Sequence, residues 1–152
     1  MARFVYRMQS VLNIKQQTEN QTKMEFAVAQ AELNKQLDIL SEYIERKERY
    51  LQEAEELRKQ DSLKLQDILD NQYATAQMDT MIKHQNAIVQ QHEQKVERVR
   101  IKLTRNIQER KMQETLRDRA FAEFLEEQKQ EEAKENDQRS SFTYGQRQKE
   151  DD

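Results

Sequence analysis

The stretch FAVAQAELNKQLDILSEYIERKERYLQEA, residues 26–54, decides the fold. Phe26, Leu33, Leu37, Leu40, Ile44, Leu51 and Ala54 recur at steps of seven, four and three, with Lys47 standing at a seam position the run skips. That spacing puts the apolar residues on one narrow stripe of a helix, which is the pattern of a coiled-coil seam. A second register runs Ile82, Val89, His92, Val96, Val99, Leu103 and continues less regularly through Ile107, Leu116, Phe121, Phe124 and Leu125. Between the two, Leu57, Leu63, Leu65, Ile68, Leu69 and Tyr73 fit no single stripe. Asp70-Asn71 offers turn chemistry there, and Asp79 or Thr80 offers a helix cap. The loss of phase predicts a bend within residues 60–80.

Composition supports helix almost throughout. The 152 residues hold no proline, no cysteine and one glycine, Gly145. Proline costs a helix interior about 3 kcal/mol and glycine about 1 kcal/mol, so nothing stops a helix before the tail. Charged residues make up 36% of the chain and hydrophobic ones 35%, with a mean hydropathy of -1.20. This is too little apolar material for a thick globular core, but a seam between two helices needs far less. The expected fold is therefore all-α: a long antiparallel two-helix coiled-coil hairpin over residues 1–135, followed by a frayed, disordered tail over 136–152. Phe142 and Tyr144 are the tail's only large apolar residues and read as incidental, with a short docking motif as the alternative.

Charge points the same way. Residues 1–18 carry Arg3, Arg7 and Lys15 and no acid, whereas 123–137 carry seven acids against Lys129 and Lys134. Residues 95–119 carry nine bases and four acids. A fold near residue 72 sets the basic N-terminus beside 123–137 and the basic 95–119 stretch beside the acidic 25–49. Each exposed pair is worth less than about 1 kcal/mol, but a systematic pattern favours one register.

Several chemistries are disfavoured. Two zinc ligands on a helix sit about one turn apart; His84 and His92 are eight residues apart, with no cysteine and no obvious third ligand. A single glycine in the tail provides no phosphate-binding loop, so any nucleotide chemistry belongs to a partner. Carboxylates lie on solvated faces without a cleft to perturb them, which argues against acid–base catalysis. The chain is expected to need no cofactor. No apolar run approaches the 18 or so residues of a membrane span, and no secretion signal follows Met1, so a cytoplasmic protein without direct membrane insertion is expected. The basic run from Arg98 to Lys111 lacks aromatic platforms and the arrangement of a zipper's DNA-contacting region, which disfavours nucleic acid. Tyr73, Met78, Met81 and Ile82 form a soft apolar cluster beside the expected bend. They either pack the hairpin's own seam or form an adaptable partner site.

The segment Phe4-Val5-Tyr6-Arg7-Met8-Gln9-Ser10-Val11-Leu12 resembles the opening of the bacterial flagellar export protein FliJ family: aromatic-x-aromatic-Arg-Leu-Gln-x-Val-Leu. Met8 stands where that family usually has leucine. Thr115-Leu116-Arg117-Asp118-Arg119, the chain length and the two long helices are also similar. The resemblance covers roughly residues 3–135. It implies a non-enzymatic stalk, similar to the central stalk of rotary ATPases, in the flagellar type III protein export apparatus. The implied partners are the hexameric export ATPase, the export gate membrane protein and export chaperones. The implied location is the cytoplasmic face of the inner membrane. By the stalk analogy, Phe4, Tyr6, Arg7, Met8, Val11 and Leu12 face the ATPase ring, while Tyr73, Met78, Met81 and Ile82 face the gate. A generic coiled-coil scaffold, the stalk of a virulence secretion system and a nucleic-acid-binding helical rod are the alternative readings.

Overall fold

The computed structural model describes residues 2–151. Two long helices, α1 (Gln9–Lys59, 51 residues) and α2 (Leu65–Asp151, 87 residues), pack against each other as an antiparallel hairpin. No strand occurs among the described residues. The helices part at residues 60–64, Gln-Asp-Ser-Leu-Lys, where Asp61 and Ser62 supply side chains that compete with helical bonding. Arg58 and Lys59 close α1 and Asp67 lies in the first turn of α2, each sign matching the local helix dipole. Asp70-Asn71 and Asp79-Thr80 therefore neither turn the chain nor cap a helix; all four lie inside α2.

The packing divides into two units, Met1–Glu19 with Asn106–Asp152 and Asn20–Arg105. In the second, two heptad rows of each helix face inward. On α1 these are 26, 33, 40, 47, 54 and 22, 29, 36, 43, 50, 57, all buried or half-buried. The first row includes Phe26, Leu33, Leu40, Lys47 and Ala54, as the periodicity predicts. The other inward row is not Leu37, Ile44 and Leu51; it lies one residue earlier, at Gln36, Tyr43 and Tyr50. On α2, Ile82, Val89, His92, Val96, Val99 and Leu103 all lie in the seam.

Polar residues occupy much of this interior. Thr22, Asn71 and Gln85 are buried alongside Ala29, Leu33, Met78 and Val89. Asn71 Nδ2 donates to the Tyr50 carbonyl at 2.8 Å. Gln85 Nε2 donates to the Gln36 carbonyl at 2.9 Å and to Gln36 Oε1 at 2.8 Å. A buried polar side chain must find its partner, so these bonds fix which residues stand opposite one another, at a cost in stability relative to leucine. His92 is half-buried, its Nδ1 4.0 Å from Glu32 Oε2 and without a hydrogen bond.

Ion pairs follow the same register. Lys102 Nζ lies 3.1 Å from Glu25 Oε2, Lys95 Nζ 3.3 Å from Glu32 Oε2 and Lys47 Nζ 2.5 Å from Asp79 Oδ1. This register corrects the one inferred from charge. Because the chain turns at 60–64 and not near 72, the basic N-terminal segment lies beside the stretch from Glu109 to Phe124. The acidic residues further along α2 do not pair with it. Part of the basic 95–119 run does meet acids, at Glu25 and Glu32.

In the other unit, Leu12, Lys15 and Glu19 of α1 and Asn106, Arg110, Gln113, Ala120 and Phe124 of α2 are among the buried or half-buried positions. Ile107 is half-buried beside this seam, while Leu116, Phe121 and Leu125 are exposed. From Lys129 onward every described side chain is exposed, yet α2 remains helical to Asp151. The change of composition at Asn136 thus marks a solvated stretch of helix and not the loss of helix expected from sequence.

The absence of native cysteine makes the register easy to test. With cysteines at Gln36 and Gln85, a short thiol cross-linker should join the two positions efficiently. Cysteines at Tyr50 and Gln94, which a bend at 72 would oppose, should not cross-link. The reverse result would move the bend.

Candidate partner-binding surfaces

The N-terminal segment is held by aromatic packing. The Phe4 ring meets Phe121 edge-on at a centroid separation of 5.1 Å and Phe124 at 5.4 Å. Tyr6 is half-buried and its hydroxyl donates to Gln113 Oε1 at 3.3 Å. These contacts pin a non-helical strip, residues 2–8, onto α2 before α1 begins. The Gln9 amide then bonds the Tyr6 carbonyl and the Leu12 amide the Met8 carbonyl, both at 3.1 Å. Leu12 is 1% exposed and Val11 half-buried, so both serve the interior. Arg7, Met8 and Val5 remain outside, Val5 at 77% exposure.

Of the six N-terminal residues that the resemblance turns toward a ring, Arg7 and Met8 are therefore presented outward. Phe4, Tyr6, Val11 and Leu12 build the platform beneath them. Beside the strip lies a shallow cavity of about 250 Å³ lined by Arg3, Phe4, Val5, Tyr6, Gln9 and Arg117. On α2 of the same unit, Met112 and Leu116 line an open, mostly apolar shelf of about 590 Å³ between Lys111 and Arg119. Cations around exposed apolar side chains suit a protein surface that carries both acids and hydrophobic residues.

Beneath this surface an ion cluster sits in the seam. The Arg110 Nε donates to Glu19 Oε2, and Arg110 Nη1 donates to Glu114 Oε2 at 2.9 Å. The Glu19 carboxylate holds the Arg110 guanidinium above its ordinary pKa, with Glu114 adding to it, so Arg110 stays charged at any working pH. Lys15 Nζ meets Glu109 Oε2 at 3.0 Å. None of these groups lines a cleft able to enclose a substrate.

The cluster near the bend divides differently from the expectation. Met78 is 3% exposed and fills the seam, with Ile82 and Met81 half-buried beside it. Only Tyr73 projects, at 69% exposure. Leu65 and Leu69 precede it at helical spacing and are also exposed, so an apolar strip marks the first turns of α2. Periodicity hid this division because Met78 and Tyr73 are both apolar, and the true phase of this stretch is carried by Asn71 and Thr75. A neighbouring hollow of about 430 Å³ is lined by Tyr50, Glu53, Leu57, Asp67, Asp70, Asn71 and Ala74.

Among the described residues, no three His, Cys, Asp or Glu side chains are grouped to hold a metal ion, and no helix is long and apolar enough to cross a membrane. Comparison with curated proteins and with solved structures gave no match. The family model of the flagellar FliJ protein, in contrast, matches residues 4–149, nearly the whole chain. It spans the aromatic strip, both helices and most of the solvated end of α2. A two-helix hairpin opening on Phe4-Val5-Tyr6-Arg7-Met8-Gln9 and matched over that length belongs to the flagellar FliJ protein family, a component of flagellar type III protein export.

Proposed function

We propose that this chain is a non-enzymatic coupling component of the export apparatus. In this reading it works in the cytoplasm, peripheral to the inner membrane, and links the hexameric export ATPase to the export gate and to export chaperones. The observation that carries the reading is the N-terminal strip, where Arg7, Met8 and Val5 are displayed on a platform of Phe4, Phe121 and Phe124. A binding face needs its contact residues held still, because ordering a loose segment on contact costs affinity. Here the aromatic platform does that ordering before any partner arrives. Catalysis is assigned to the ATPase, since the one glycine in this chain, Gly145, provides no phosphate loop.

At the bend, the gate contact narrows to Tyr73, with Leu65 and Leu69 beside it. Met78 is assigned to the seam, and Met81 and Ile82 support it from the flank.

Binding measurements with the purified ATPase and the cytoplasmic part of the gate test both assignments. Arg7→Ala with Met8→Ala should weaken ATPase binding by about tenfold, roughly 1.4 kcal/mol, and leave gate binding unchanged. Tyr73→Ala should do the opposite, and neither variant should lower the melting temperature appreciably. Met78→Ala should destabilise the hairpin by about 2 kcal/mol through the cavity it leaves. Unaltered ATPase binding by the Arg7/Met8 variant would remove the N-terminal strip from the interface.

A further inference from the structure

Leu37, Ile44 and Leu51 form a heptad row that α2 does not cover. They are 39%, 43% and 48% exposed, whereas Gln36, Tyr43 and Tyr50, one residue earlier, are half-buried in the seam. With the seam positions of α1 written a (33, 40, 47) and d (36, 43, 50), the exposed row falls at e. An a/d stripe satisfies one partner helix. An apolar face widened to a, d and e is the pattern of a helix that packs against two. Across residues 37–51, α1 has such a face and only one helix against it.

The two flanks of this seam differ. One is closed by ion pairs between residues just before the a positions, Glu25 with Lys102 and Glu32 with Lys95. On the other lies the Leu37–Ile44–Leu51 row, and there Lys47 bridges to Asp79, which draws a seam lysine outward. The row next outward on α1 is Asn34, Ser41, Glu48 and Glu55, and the facing e row of α2 is Gln72, Asp79, Asn86 and Glu93. Neither row holds a base, and Lys83 stands one row further out on α2. The two border rows together hold four acids, of which Asp79 is engaged by Lys47, and no base.

We propose that this flank docks a third helix: an amphipathic helix from another protein, with apolar residues at heptad spacing bordered by lysine or arginine. Complementarity of charge selects that occupant. A second copy of this chain would bring a second acidic border to the same track, which like-charge repulsion disfavours. Leu65 and Gln72 share the facing e row of α2, so this flank runs toward Tyr73, but its occupant is defined by charge and heptad spacing and not by the contact assigned to Tyr73.

The test uses the full chain and two labelled synthetic helices of about four heptads, both with leucine at a and d, one bordered by lysine and one by glutamate. Fluorescence anisotropy should show the lysine helix binding at least about tenfold more tightly than the glutamate helix, with affinity falling as salt rises. Replacing Leu37→Gln, Ile44→Gln and Leu51→Gln together should weaken lysine-helix binding by about tenfold or more while helicity and melting temperature stay unchanged. A control with Met112→Gln and Leu116→Gln should bind as the parent does. Undiminished binding by the triple variant would overturn the proposal, as would a sharp fall in its melting temperature, which would place the row in the hairpin's own core. Concentration-dependent dimers in sedimentation that the triple variant abolishes would also overturn it, by assigning the row to a second copy.

Discussion

Arg110→Ala is expected to lower the stability of the hairpin, and replacing both members of the pair, Glu19→Leu with Arg110→Leu, to return stability close to that of the parent. The Glu19 side chain is only 5% exposed, while Arg110 at 23% still reaches water. Removing the guanidinium takes a charge-assisted partner from a carboxylate that is itself largely out of water. Removing both charges eliminates the desolvation penalty together with the attraction, and leucine restores an apolar layer. Glu114, the other acceptor for Arg110, is 41% exposed and is accommodated by solvent in either variant. Equilibrium urea unfolding of the parent, both single variants and the double variant gives the coupling directly. A double variant as unstable as Arg110→Ala would mean that the pair contributes net stability and not register.

The second large effect belongs to Leu12. At 1% exposure it is one of the two most completely enclosed side chains among the described residues, the other being Thr22. Leu12→Ala should cost about 3 kcal/mol, the transfer energy of the lost methyl groups plus a cavity that the surrounding helices cannot fill by relaxing. Leu12→Met should cost less than about 1.5 kcal/mol because volume is nearly kept. Val5→Ala, seven residues away and mostly in solvent, should be close to neutral. Thermal melts followed by circular dichroism separate the three. A mild Leu12→Ala would show that the N-terminal end of α1 is only loosely seated on α2.

These energies bear on how much of the molecule the sequence reveals. Two long helices were legible because no proline occurs and no glycine precedes Gly145, near the end of α2. The α2 seam was legible because Ile82, Val89, Val96, Val99 and Leu103 are apolar and stand at heptad spacing. On α1 one row was legible and the other fell one residue off. Leu37, Ile44 and Leu51 are more apolar than Gln36, Tyr43 and Tyr50, yet the structure turns the less apolar row inward. Amide hydrogen bonds explain the choice at Gln36, whose carbonyl and side chain both serve Gln85. Polar residues also hid the phase beside the bend, since Asn71 is a seam position that reads as a turn. Moving the bend from 72 to 60–64 then shifted every charge pairing inferred from it. At the N-terminus, Phe4 and Tyr6 stood out in the sequence, but their partners Phe121, Phe124 and Gln113 lie more than 100 residues away, beyond any local pattern.

A seam this polar has a mechanical consequence. Asn71, Gln85 and the Glu19–Arg110 pair set register while contributing little net stability, which suits a part that presents its faces in fixed positions.

The proposed coupling role is tested most directly by ATP turnover of the purified hexameric export ATPase, measured with increasing amounts of this chain. The chain alone should hydrolyse nothing. Turnover by the ATPase should rise saturably with added parent chain, and the Arg7→Ala, Met8→Ala variant should require about tenfold more protein to reach the same rate. Turnover that stays constant up to a saturating excess of folded chain would contradict the account.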